Sequence, residues 1–361
     1  MNLQKLLPRI HGYLSNLNTS TPLCYTTRLQ HDKMNVNEHR AKIMSRGLPE
    51  KKPLPGVKKI ILVASGKGGV GKTTTAVNLA CAMKVIEPNK EIGLLDADVF
   101  GPSVPIMMNI SGEPMLNDNH LIEPLINYGV KCMSMGLLVA GENAVVWRGL
   151  MVMQALERLT RHVAWGPLDC LVVDTPPGTG DTHLSLAQNL PIDGAIVVTT
   201  PQSAALQVTK RGLNMFEKLK VPIIGLVENM SYAICKNCGT RNFIFGNETK
   251  QMAEQMGLEI IESFEVDPDM SECINSGKPA IYALPDSIHA EKYRHLANKV
   301  FKYLSTVLTW SAMSSAVDTY SLGICIFHHK FTNTTTATKS DCRQACRCRP
   351  SNDVWTVGYT S

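Results

Sequence analysis

Apolar residues gather in short, continuous runs at 59–65, 92–96, 130–134, 169–173, 194–200, 221–228 and 258–261. Runs of strand length with no polar alternation read as strands buried on both faces. Between several of them the apolar spacing lengthens to that of a helix, notably at 73–85, 149–163, 204–219 and 247–257. Strand and helix alternating in this way predict an α/β fold, a doubly wound, mostly parallel sheet with helices on both faces. Such sheets place their sites at the carboxyl ends of strands.

The first run, Ile60-Ile61-Leu62-Val63-Ala64, feeds directly into Gly66-Lys67-Gly68-Gly69-Val70-Gly71-Lys72-Thr73-Thr74. Strand, glycine loop and helix start are the parts of a triphosphate-binding loop. The glycines let successive backbone N–H groups converge on one anion, and the helix that follows adds its positive end. In that reading Lys72 lies between the outer phosphates and the Thr73 hydroxyl ligates magnesium. Gly66, Gly68 and Gly71 also satisfy the dinucleotide pattern G-x-G-x-x-G, with Asp96 near the place of a ribose-binding acid. A dinucleotide turn has no use for Lys72-Thr73 straight after its third glycine, so the phosphate loop is preferred. The second lysine, Lys67, is an addition that most phosphate loops lack.

Acids close two other strands. Leu94-Leu95-Asp96-Ala97-Asp98 offers one carboxylate to orient an attacking water and another to hold magnesium or follow the nucleotide state. Leu171-Val172-Val173-Asp174 ends in an acid suited to holding magnesium through water, and Pro176 to Gly180 reads as a stiff loop beside the γ-phosphate.

Charge changes the picture only at the ends. The 361 residues carry a formal net charge of +5, but residues 58–306 alone come to about −3. The basic excess lies in the termini, which argues against a nucleic-acid-binding face on the central region. No uninterrupted apolar run is long enough to cross a bilayer. Residues 1–31 contain no Asp or Glu, carry Lys5, Arg9 and Arg28, and place Leu3, Leu6, Leu7, Ile10 and Leu14 at helical spacing. That is the composition of a mitochondrial presequence. Residues 32–57, with Pro53, Pro55 and Gly56, read as a linker, and 58–306 as the folded domain. Residues 307–361 are hydroxyl-rich and aperiodic and read as a disordered extension, with Cys342, Cys346 and Cys348 too irregularly spaced for a metal site.

Cysteine use adds a second chemistry. The chain has 11 cysteines and no secretory signal, so a disulfide framework is not expected. Cys81, Cys132 and Cys170 fall in strand or helix patterns and read as buried apolar residues. Cys235-Lys236-Asn237-Cys238-Gly239 follows a strand in a polar loop, where both thiolates can face one metal and Lys236 favours ionisation. One such pair supplies two ligands where a tetrathiolate site needs four. A zinc shared between two chains, a redox dithiol and no metal at all remain open on spacing alone.

The paired-lysine loop, Asp96-Ala97-Asp98, Asp174-Thr175-Pro176-Pro177-Gly178 and Glu228-Asn229-Met230-Ser231 together resemble the deviant Walker A, MinD-like P-loop NTPases. Gly101-Pro102-Ser103-Val104-Pro105, Val146-Trp147-Arg148-Gly149-Leu150-Met151 and Pro176-Pro177-Gly178-Thr179-Gly180-Asp181 are similar to the Mrp-type iron–sulfur carriers within that class. The resemblance covers about residues 46–306. It implies ATP and Mg2+ as ligands, slow ATP hydrolysis used as a switch, and Lys67 reaching across a homodimer to the partner's nucleotide. It implies that Asn229 reads the adenine edge. It also implies a labile 4Fe-4S cluster held by Cys235 and Cys238 of both chains and delivered to acceptor apoproteins. With the leader, it implies the mitochondrial matrix and respiratory complex I subunits as acceptors. The alternative in the same class is a MinD- or ParA-like positioning switch. That use calls for an amphipathic C-terminal helix or a basic surface, and neither stands out in the sequence.

Overall fold

The computed structural model describes residues 51–138, 149–235 and 237–306. The leader at 1–31, the linker up to residue 50, Val146-Trp147-Arg148, Lys236 and the extension 307–361 lie outside the described residues.

Eight strands form one sheet: β1 Ile60–Ser65, β2 Ile92–Asp96, β3 Leu125–Asn127, β4 Val130–Ser134, β5 Cys170–Pro177, β6 Gly194–Thr199, β7 Ile223–Glu228 and β10 Ile260–Ser263. A separate two-stranded ribbon joins β8 Ala233–Ile234 to β9 Arg241–Asn242. The order across the sheet is β10-β7-β6-β1-β5-β2-β4-β3. All pairings in it are parallel except β3 with β4. The seven apolar runs are thus the seven parallel strands, and the doubly wound architecture follows. The antiparallel edge is an addition that the apolar runs do not announce, because the strand has only three residues, of which Ile126 is exposed and the other two are only partly buried.

Alternation along each strand builds two cores. Ile60, Leu62, Ala64, Leu171, Val173, Ala195 and Val197 face one side, against α3 Gly149–Arg161, α4 Asp181–Asn189 and α5 Ser203–Lys218. Ile61, Val63, Cys170, Val172, Ile196 and Val198 face the other, against α1 Lys72–Ile86, α2 Val104–Met107 and a last helix over 288–306. Each fully buried Leu, Ile or Val contributes roughly 1.5–3 kcal/mol relative to exposure. Cys81, Cys132 and Cys170 are all buried within the second core, as their patterns predict. From Lys52 onward the chain already lies on the domain: Leu54 is buried and Val57 bridges to Leu168.

The sheet fixes the site. β1 has β5 on one flank and β6 on the other, and the chain builds outward in both directions from there. The carboxyl ends of β1, β2, β5 and β7 therefore open onto one crevice, at the point where the strand order reverses.

Candidate nucleotide and thiol sites

The turn after β1 needs its glycines for different reasons. A Cβ on Gly66 would stand 2.6 Å from the Thr209 backbone nitrogen, so the loop can pass α5 only without a side chain. Gly71 caps α1 in the left-handed region, at φ +85°, and a Cβ there would lie 2.1 Å from Asn229 Nδ2. Gly69 also has positive φ, at +78°. The loop Gly66–Gly71 thus ends on the N-terminus of a 15-residue helix, the arrangement that favours an anion. Thr74 is half-buried on the first turn of α1 and leaves its carbonyl to Asn78 Nδ2 at 2.9 Å.

Lys72, Thr73 and Asp174 meet at the base of this loop. Lys72 Nζ donates to Asp174 Oδ1 at 2.5 Å and to Thr73 Oγ1 at 3.2 Å, and Thr73 Oγ1 donates to Asp174 Oδ2 at 2.6 Å. Asp174 is fully buried and Lys72 nearly so. Burial pushes the Asp174 carboxyl up, against the opposing pull of Lys72 and Thr73. These three groups fit a magnesium-bound triphosphate: a cation for the phosphates, a hydroxyl ligand and an acid behind it. Lys67 is exposed, and its ammonium has no hydrogen-bond or ion-pair partner among the described residues. Its carbonyl accepts from Ser65 Oγ at 3.1 Å, which pins the backbone and leaves the side chain free to project.

The two acids after β2 separate. Asp96 is buried, and its carboxylate accepts from Asp98 N at 3.1 Å, Val104 N at 3.2 Å and Ser134 Oγ at 3.0 Å. Burial and the neighbouring Asp174 carboxylate push it up to about 7 despite those donors. It organises the loop that leads into α2. Asp98 is half-exposed and lines an open cavity of about 810 Å³ with Phe100, Leu150, Pro176, Pro177 and His183. Of the pair, Asp98 is the one open to solvent at this cavity.

Asn229, just beyond β7, places its side chain against the phosphate loop, and Nδ2 donates to the Val70 carbonyl at 2.9 Å. Six positions later comes Cys235, in the loop of the β8–β9 ribbon. The root of that ribbon is stitched to the segment after β10, by Ser231 N to Phe264 O and Val266 N to Tyr232 O, each at 2.8 Å. Cys235 N donates to Thr240 O at 3.0 Å and Gly239 N to Cys235 O at 2.8 Å, closing a tight turn around the two thiols. Cys235 is half-buried and Cys238 exposed. Cys238 Sγ lies 3.2 Å from Thr240 Oγ1, and that hydroxyl holds the thiol below its ordinary range. Ile234, Phe243 and Ile244 are exposed beside the turn. Among the described residues no group of three or more His, Cys, Asp or Glu is placed to hold a metal ion within one chain.

The sequence reading brought together every member of the loop and both thiols. It missed Ser134, which holds Asp96, and His183, which bonds Thr175 behind the Pro176–Gly180 loop, and it quoted Thr175 within a motif without giving it a role. A single histidine or serine on a buried face carries no periodic signal.

A model of the ParA family described as NUBPL iron-transfer P-loop NTPase matches residues 56–301. The mouse protein named iron-sulfur cluster transfer protein NUBPL is 49% identical over 272 residues, which cover 75% of this chain and 85% of that protein. The Arabidopsis thaliana protein named iron-sulfur protein required for NADH dehydrogenase, mitochondrial, is 52% identical over 255 residues, 70% of this chain and 80% of that one. Among solved structures, a nucleotide-binding protein from Archaeoglobus fulgidus in complex with ADP is 34% identical, with a TM-score of 0.54, over 62% of this chain and 88% of that chain. The cell division ATPase MinD of Pyrococcus furiosus shares the fold at 20% identity, with a TM-score of 0.52, over 68% of this chain and 98% of that one.

Proposed function

The chain belongs to the NUBPL iron-transfer P-loop NTPase family of ParA proteins, and on that premise we propose that it is an ATP-dependent carrier of iron–sulfur clusters. Its cargo is a labile 4Fe-4S cluster assembled between two copies of the chain. Cys235 and Cys238 of each copy supply two thiolates, and the homodimer completes the four. The exposed turn, its backbone closure and the lowered Cys238 thiol support a site that takes up and gives up cargo at the surface.

The loop Gly66–Gly71 binds the phosphates of ATP, with Lys72 between them and Thr73 and Asp174 holding Mg2+. Bound Mg2+–ATP supplies the charge that this cradle is shaped to hold. Lys67 reaches to the partner's nucleotide, where its free ammonium meets the charge that builds up on the phosphates. Asp98 orients the water, Asp96 shapes the loop that carries Asp98, and Asn229 reads the base while touching the phosphate loop. Hydrolysis is slow and acts as a switch on the dimer contact. A bias of about 1–3 kcal/mol between sites suffices to couple them.

The single observation that carries the coupling is the Asn229–Val70 hydrogen bond, because Cys235 follows on the same short segment. The leader composition and the relatives' names support import into mitochondria. We assign residues 1–31 as presequence and 32–51 as linker, its end moved back from 57 because Lys52 and Leu54 already pack on the domain, with the matrix as destination and complex I subunits as acceptors.

The test is transfer. The anaerobically reconstituted protein is mixed with a 4Fe-4S acceptor apoprotein, with ADP or with ATP, and cluster arrival is followed by the acceptor's own activity. Faster transfer with ATP, lost in Lys72→Ala, supports the proposal. Equal transfer with both nucleotides contradicts it.

A further inference from the structure

His183 has no part in the mechanism above, yet it is 1% exposed and sits directly behind the Pro176–Gly180 loop. Its place follows from a proline problem. β1 and β5 pair in parallel up to Val63 with Asp174, and then the register shifts so that Ser65 faces Pro177. Pro177 has no N–H, so Gly178 N takes the Ser65 carbonyl instead, at 2.9 Å. At that break Thr175 turns its hydroxyl onto the ladder, and Oγ1 donates to the Val63 carbonyl at 3.1 Å.

That bond settles a tautomer. A carbonyl oxygen only accepts, so the single hydroxyl hydrogen of Thr175 goes to Val63. His183 Nε2 lies 3.1 Å from Thr175 Oγ1, so Nε2 must carry a hydrogen and donate it. Nδ1 is then the unprotonated nitrogen, and it is buried without a hydrogen-bond partner among the described residues. Burial, with Lys72 nearby, holds the ring down to about 4, so it stays neutral at physiological pH. The edge of the Phe216 ring, 6.1 Å away between centroids, packs against it.

We propose that His183 is the positioning residue of the nucleotide-sensing loop, a latch whose Nε2–H to Thr175 Oγ1 bond ties the start of α4 to the end of β5. The loop Pro176–Gly180 is then closed at both ends. Asp174 anchors its start to Lys72 and Thr73, and His183 N donates to Gly180 O at 3.1 Å at its finish. With the latch shut, a γ-phosphate moves the residues between Thr175 and His183 as one hinged unit. With it open, the same loop samples positions that leave Pro177 away from Gly68, where a Cβ added to the glycine would lie 3.9 Å from Pro177 Cγ.

This inference rests on the ATPase reading, and its test separates the two. His183→Gln keeps an N–H donor near the place of Nε2, whereas His183→Leu fills the space without one. ATP turnover in His183→Leu is expected to fall about tenfold with little change in nucleotide affinity, and His183→Gln to restore most of it. Thr175→Val reproduces the loss and Thr175→Ser does not. Equal turnover in Leu and wild type, or equal loss in Gln and Leu, overturns the latch. Imidazole 15N NMR gives an arm that needs no turnover. It is expected to show an Nε2-protonated, neutral ring for His183 at pH 6, with signals that shift on adding a non-hydrolysable ATP analogue. A charged or Nδ1-protonated ring, or one that ignores the analogue, overturns the assignment. A wild type that hydrolyses no ATP overturns the ATPase reading, and the NMR arm then decides on His183 alone.

Discussion

Asn229 Nδ2 donates to the Val70 carbonyl at 2.9 Å, and a Cβ added to Gly71 would fall 2.1 Å from that same nitrogen. The phosphate loop and the root of the thiol ribbon therefore touch at one amide. Replacing Asn229 with Asp sets a carboxylate against a carbonyl. ADP affinity, measured by calorimetry, is expected to weaken about tenfold, in line with roughly 1–3 kcal/mol for a lost and unsatisfied, partly buried hydrogen bond.

Gly71→Ala tests the same contact from the other side. A non-glycine residue in the left-handed region costs about 1–2 kcal/mol, and the new methyl group must displace Asn229. A lowered melting temperature together with loss of nucleotide binding is the expected result. A variant that still binds ADP normally would show that Asn229 does not need its observed place.

Lys72→Ala removes the cation beside a fully buried Asp174. Loss of one partner from a buried pair costs about 3–5 kcal/mol. Because burial already pushes Asp174 up, the carboxyl takes a proton as pH falls, and the penalty is expected to be smaller at the lower of two pH values. Urea unfolding of the nucleotide-free protein at the two pH values checks both the loss and its direction.

Asp96 gives the opposite of the usual carboxylate pH dependence. Its folded-state value, about 7, lies above the ordinary 3.8, so between those values the folded protein binds the extra proton. Its contribution to stability is therefore fully present below about pH 4 and is lost as pH rises towards 7, with a slope of up to ~1.4 kcal/mol per pH unit. The difference between wild type and Asp96→Asn, followed by chemical denaturation from pH 4 to 7, isolates this group. A flat difference would contradict the burial argument.

Much of this was legible in the chain because both signals are local. A strand buried on two faces writes a continuous apolar run, and a phosphate loop writes its glycines, lysines and threonine in one stretch. What was not legible depends on contacts across the fold. The helix over 288–306 buries Ala290, Tyr293, Leu296, Ala297, Val300 and Leu304, but its small alanines weaken the apolar contrast. β3 is too short and too exposed to register. Sequence alone offered Lys236 as the cause of thiol ionisation, and the geometry supplies the Thr240 hydroxyl. The split between Asp96 and Asp98 needed Val104 and Ser134, whose closeness to Asp96 no spacing records.

Thr240 also makes the thiol chemistry testable without any metal. Cys238 is expected to react with iodoacetamide at neutral pH well before the buried Cys81, Cys132 and Cys170, whose thiols burial pushes up. Thr240→Val should slow Cys238 alkylation and move its pH profile upward, as read by mass spectrometry of the labelled peptides.

The central claim is that Lys67 and the Cys235/Cys238 pair are each half of a site that one homodimer completes. Its most direct measurement is iron, sulfide and mass of the anaerobically reconstituted protein, with and without ATP. The expected result is four iron and four sulfide per two chains, in a dimer that Cys235→Ala/Cys238→Ala can no longer load. A full cluster on each monomer, a bound zinc in a colourless protein, or undiminished loading of the double variant would contradict it.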